Sequence, residues 1–258
     1  MIIAKSSKAT ALSTMLAILL VFPQRPARAQ TPFDWIGAVS SAISIYQAFD
    51  QFGSLTLQNA TDQIAAKIQA AQADINNHMD GIVLASQRAC VNNAIAALDN
   101  ESVNRGLISP DTMQADATDA QHCVDSIVAY MSAVGTPSVD QLGFALAAIE
   151  PLVGMLNANA GWATTAAIFS QFRTGNTYVS DTLMASVICE RFVLWGDCVR
   201  PCQNPEVQIT CTAYNGGQGF VDTFLSDRYI TQETLQAKVD SLVATSYSLA
   251  QKGLATFP

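Results

Sequence analysis

Along most of the chain apolar residues recur every three or four positions, the spacing of amphipathic helices that pack by one face. Asp34 stands as a cap before Ile36, Val39, Ile43, Tyr46 and Phe49, with Gly53 near the end of that stripe. From about residue 61 a second stripe runs through Ile64, Ile68, Ala71, Ile75 and Ile82. A further face through Leu84, Val91, Ile95 and Leu98 carries on to about residue 99. Asp80-Gly81, a turn-favouring dipeptide, lies inside this run. The pattern admits two helices here, and we read one long helix with a local distortion. Ser109-Pro110-Asp111 combines a cap, a proline at the first helical position and an acid in the first turn. Val124, Ile127, Val128 and Met131 form the core face of the helix it starts.

Gly135 and Pro137 end that helix, and Ser138-Val139-Asp140-Gln141 has the form of a capping box. The helix it opens runs toward Leu156, kinked or split at Pro151 because proline lacks the amide hydrogen. A short helix is expected from Ala160 to Phe172 and another from Asp181 to Val193. Between Thr174 and Tyr229 the pattern turns irregular and holds four of the six cysteines. A strand pair is signalled only near Val207 to Tyr214, and Asn215-Gly216-Gly217-Gln218-Gly219 reads as a turn. Thr231 caps a last helix through Leu235, Val239, Leu242 and Leu249, ended by Gly253. The sum is an all-α bundle of six or seven helices. It forms one domain over residues 30–258, with a disulfide-tied irregular insertion at about 189–214.

The N-terminus changes the picture. Lys5 and Lys8 precede an apolar run from Ala11 to Phe22, then come Pro23, Pro26 and the triplet Ala27-Arg28-Ala29. A basic start, a short apolar run and a small-x-small site in that order form a cleavable signal peptide over residues 1–29. The run is shorter than the roughly 20 residues that span a bilayer. Residues 1–29 hold four of the 13 basic residues and none of the 21 acidic ones, which leaves 9 against 21, a formal charge of −12. Such a surface repels phosphate backbones, so nucleic acid is not an expected partner.

Export makes the cysteines informative, because thiols oxidise outside the cytosol. Cys90 and Cys123 lie about equally far from the connection between their helices, where an antiparallel hairpin brings residues face to face; they are expected to pair. Cys189, Cys198, Cys202 and Cys211 have gaps of eight, three and eight residues. The outer and inner cysteines pair, or each pairs across its eight-residue gap; spacing leaves both open. Gaps of eight do not suit the short ligand hooks of structural zinc.

Candidate chemistry is sparse. His78 falls within the second stripe as a packing residue or a pH-sensing base. His122 lies in Asp116-x-x-Asp119-x-x-His122-x-x-Asp125, where a three-residue step drifts around the helix, so the four cannot converge on one ion and a solvated face is expected. Glu150 is the only charged residue from Leu142 to Phe172. Buried, it would make a proton donor; the expectation is that it tips outward at the Pro151 kink. No catalytic residue, cofactor or metal site is assigned. The leading expectation is a secreted or periplasmic, non-enzymatic interaction or structural protein that binds an unknown protein or surface ligand. A membrane-active, pore-forming-like helical protein is the alternative, motivated by the apolar stretch 142–172, although a membrane is not the favoured partner. A hydrolase using buried carboxylates is the third.

Overall fold

A computed structural model describes residues 34–79, 81, 84–194, 206–224 and 227–257. The signal-peptide segment, Cys198 and Cys202 lie outside the described residues. Among those described, the chain forms eight helices and a three-stranded sheet: α1 (Asp34–Asp50), α2 (Leu57–His78), α3 (Ala85–Val103), α4 (Pro110–Met131), α5 (Thr136–Asn159), α6 (Ala166–Ser186), β1 (Ile188–Leu194), β2 (Glu206–Thr212), β3 (Gln218–Phe224), α7 (Asp227–Ser241) and α8 (Tyr247–Thr256). The helical bundle is as expected from the sequence. The described parts of its disulfide-tied insertion contribute β1 and β2 to an antiparallel sheet.

Helix ends follow local chemistry. The Ser109 hydroxyl accepts from the Thr112 amide at 3.2 Å, and Pro110 occupies the first turn of α4. Thr56 and Thr165 cap α2 and α6 in the same way. Ser138 does not cap α5: that helix starts at Thr136, with Gly135 as its cap and Pro137 inside the first turn, where no amide hydrogen is needed.

Four expectations are corrected. Residues 61–99 form two helices, because Gly81 takes φ +125°, a conformation outside the helical range. Helix α5 continues through Pro151 and is not split there. The short helices expected at 160–172 and 181–193 are one, α6, which ends at Ser186 and gives way to β1. Gly175 in its middle is a contact residue: a Cβ there would lie 2.5 Å from Leu146 and 2.9 Å from Val128. The last helix divides into α7 and α8, and Gly253, inside α8, faces Asn176 of α6 at a distance no side chain tolerates.

Helix α5 is the centre. Every residue from Leu142 to Asn157 is buried, whichever way it points. A helix apolar all round must be enclosed on all sides, and α1, α2, α3, α4, α6 and α8 all pack against it. Each Leu, Val, Ile, Phe or Met side chain so buried contributes about 1.5–3 kcal/mol. Trp35 of α1 meets Phe144 edge-on at 4.2 Å between ring centroids. Against α1, Gly154 lies so near the Tyr46 ring that a Cβ would fall 2.0 Å from Cε2.

The sheet has order β1-β2-β3. Its inner face presents Val207, Ile209 and Cys211, all buried, and α7 packs against β2 and β3. Close approach requires glycine there: a Cβ on Gly219 would lie 2.0 Å from the Ala237 carbonyl oxygen of α7. Leu235, expected on the apolar face of the last helix, is exposed instead.

Candidate functional site

The two disulfides come first, since they set which surfaces are fixed. Cys90 of α3 and Cys123 of α4 are bonded, with Cα atoms 5.7 Å apart, as the hairpin symmetry predicts. Cys189 and Cys211 are bonded across directly opposed positions of β1 and β2. Of the two connectivities left open, the chain uses the one that joins the outer cysteines.

Beside Cys90–Cys123 lies a cleft of about 320 Å³ between α3 and α4, bordered by Asp116, Asp119 and His122. Asp125 is turned away, toward a separate depression with Gln121 and Thr165. His122 is exposed, and the helical drift expected for this run separates Asp125 from the other three. Burial and the neighbouring Asp119 both raise the Asp116 carboxyl.

His78 is exposed at the end of α2, with its ring against Trp35 at 4.6 Å and Phe144 at 5.2 Å. It lies close enough to act on Asp140, a buried carboxyl in the first turns of α5. Asp140 is a junction: Oδ1 accepts from the Ser246 amide at 2.6 Å and from the Ser246 hydroxyl at 2.7 Å, while Oδ2 accepts from the Tyr214 hydroxyl at 2.5 Å. It thereby ties α5 to the residue before α8 and to the chain leaving β2. Burial raises this carboxyl, and the three hydrogen bonds oppose that.

Glu150 does not tip outward. It is fully buried because α5 has no solvent side, and Asn176 Nδ2 of α6 donates to its Oε1 at 2.6 Å. Glu101 of α3 is the third buried acid; Asn159 donates to its Oε2 at 2.7 Å. Burial, with Asp116 nearby, pushes Glu101 up to about 7. Each of these acids bonds a side chain of another element, an arrangement that positions helices.

The surface that remains is the outer face of the sheet. Register places Ile188 beside Thr212 and Gln218, Glu190 beside Thr210 and Phe220, and Phe192 beside Gln208 and Asp222. Side chains alternate between faces along a strand, so these nine share one face. Ile188 is 72% exposed, Phe220 56% and Phe192 49%. Large apolar side chains thus flank a central strip of threonine and glutamine. The sequence reading missed this face. The signal lay in the alternation Ile188-x-Glu190-x-Phe192, which marks a strand with one polar-apolar surface.

Comparison with protein-family models, with curated proteins and with solved structures finds no match.

Proposed function

We propose that this is an exported, non-enzymatic interaction protein whose contact surface is the outer face of the three-stranded sheet. The observation that carries the reading is the trio Ile188, Phe192 and Phe220, held exposed on a sheet that a disulfide closes. The trio flanks a polar strip, so the face offers separate apolar anchors with hydrogen-bonding groups between them. Two disulfides suit an oxidising compartment, and the order of charge, apolar run and small residues in 1–29 supports export by a cleaved signal. The buried acids suit a scaffold: Glu150 is enclosed among helices and held by Asn176 of α6.

The test is retention of the protein on surface material from cells that export it, compared with Phe192→Thr/Phe220→Thr. Loss of binding in the double variant, with its melting curve unchanged, supports the reading. Equal retention counts against it, as does turnover of a glycan, ester or peptide library that one carboxylate variant abolishes.

A second reading, membrane activity, is favoured by α5 itself. With 24 residues and a mean hydropathy of 1.4 over its most apolar window, it is the one helix among those described that is long and apolar enough to cross a bilayer. It is also 94% buried over that window, as a core helix is. Dye release from liposomes at neutral and acid pH separates the two; no leakage at either leaves α5 as core alone.

A further inference from the structure

Glu150 and Asn176 form an unusual pair. Both are buried at the interface of α5 and α6, and one hydrogen bond already joins them, Asn176 Nδ2 to Glu150 Oε1 at 2.6 Å. The other two polar atoms of the pair, Glu150 Oε2 and Asn176 Oδ1, have no partner. With the acid ionised, both orphans are acceptors and neither can satisfy the other. Leaving buried polar groups unpaired costs about 1–3 kcal/mol each, and more when charged. A single proton on Oε2 supplies the missing donor, and a carboxylic acid and a carboxamide then match edge to edge.

The surroundings hold the amide in place, and among the described residues burial and the Asn176 bond are the effects that act on Glu150. Behind Asn176 stands Gly253 of α8, where a Cβ would fall 2.3 Å from Nδ2, 2.9 Å from Cγ and 3.1 Å from Oδ1. Charged and titratable groups of the helices around α5 are engaged or exposed elsewhere. Lys252 of α8 is bound by Ser40 and Ser44 of α1. Tyr46 of α1 bonds Thr164, Asp62 of α2 bonds Arg105, and Glu101 of α3 bonds Asn159. Asp125 of α4 and Arg173 and Asp181 of α6 are exposed.

We propose that Glu150 is a neutral carboxylic acid in the native protein, joined to Asn176 by two reciprocal hydrogen bonds, and that this pair is a pH-sensitive lock between α5 and α6. Glu150 Oε2–H donates to Asn176 Oδ1 and Asn176 Nδ2–H donates to Glu150 Oε1. When the proton leaves to solvent, the first bond is lost, two acceptors face each other, and a charge is stranded in the centre of the bundle. Burial pushes the carboxyl well above its ordinary range, and the bond from Asn176 offsets only part of that. The lock is therefore closed below the raised value of Glu150 and opens as pH passes above it. It leaves the middle of α5 without charge, whatever the molecule binds.

The test uses infrared difference spectra of the disulfide-bonded protein against Glu150→Gln at about pH 8, above the range of ordinary carboxylic acids. Glutamine keeps both hydrogen bonds, since its amide supplies the donor that the acid proton supplies. The expected result is a protonated-carboxyl C=O band in the wild type that the variant lacks. The wild-type folding constant should also fall relative to that of the variant, by up to about tenfold per pH unit above the ordinary glutamate value. Absence of the band, or a ratio of folding constants that does not change with pH, overturns the proposal. Should Glu150→Gln fail to fold, Asn176→Leu serves instead: it removes the amide and must shift the same band, and an unshifted band overturns the pairing.

Discussion

The bundle and the sheet handle polar groups in opposite ways. In the bundle, α5 is enclosed by six helices, so its polar groups must be neutral or fully bonded, and Asp140, Glu150 and Asn157 each reach a side chain on another element. In the sheet only one face is buried, and the other carries Thr210, Gln208, Glu190 and Asp222 beside three large apolar residues in contact with water. A two-sided core tolerates no freedom, whereas a one-sided layer can place chemistry on its open side without disturbing what lies beneath. The difference teaches where to look for recognition in a chain whose interior is so apolar.

The comparison breaks first on core truncation. Phe144→Ala removes a ring that touches Trp35 and His78 and has no exposure, so it should cost about 3–5 kcal/mol. Phe192→Ala on the open face should cost less than about 0.5 kcal/mol. Urea unfolding of both decides the matter; equal losses would show the outer face to be core. Next come the disulfides. Replacing Cys90 and Cys123, 33 residues apart, by alanine should cost about 3–4 kcal/mol of global stability on chain-entropy grounds. Replacing Cys189 and Cys211 should free β1 from β2 while the bundle unfolds near its original midpoint. Limited proteolysis read beside circular dichroism distinguishes the two.

A smaller effect sharpens the account of the buried acids. Glu101 is raised to about 7 by burial, so the folded state takes up its proton at higher pH than the unfolded chain does. Its stabilising contribution is whole below the ordinary glutamate value of 4.5 and is lost as pH rises through 7. Glu101→Gln should therefore leave stability in acid unchanged and raise it by roughly 3 kcal/mol above neutrality. Denaturation midpoints measured on both sides of that window check the sign.

Much of the bundle was legible because local chemistry and tertiary structure agree. The α1 stripe puts Val39, Ile43 and Tyr46 in the core, and Ser109-Pro110 starts α4 where expected. The symmetry of Cys90 and Cys123 about their turn was enough to pair them. Where the reading failed, a residue had a tertiary role that its local preference hides. Gly253 looks like a helix end and is a close-packing point. Pro151 looks like a break and sits in a helix that six neighbours enclose. Glu150 looks like a surface acid, and its partner Asn176 lies 26 positions away. The sheet was hardest to see. Cys189 and Arg191 interrupt the apolar pattern of β1, and its partners are set by long-range register.

Hydrogen exchange followed by mass spectrometry most directly tests the claim that the bundle is scaffold and the sheet is contact surface. It would be run on the native disulfide-bonded protein, alone and with surface material from the exporting cells. The account predicts that α5 exchanges last of all elements, and that binding adds protection on β1 and β3 while α5 stays as it was. Protection gained on the helices, or α5 losing protection when the partner is added, would contradict it.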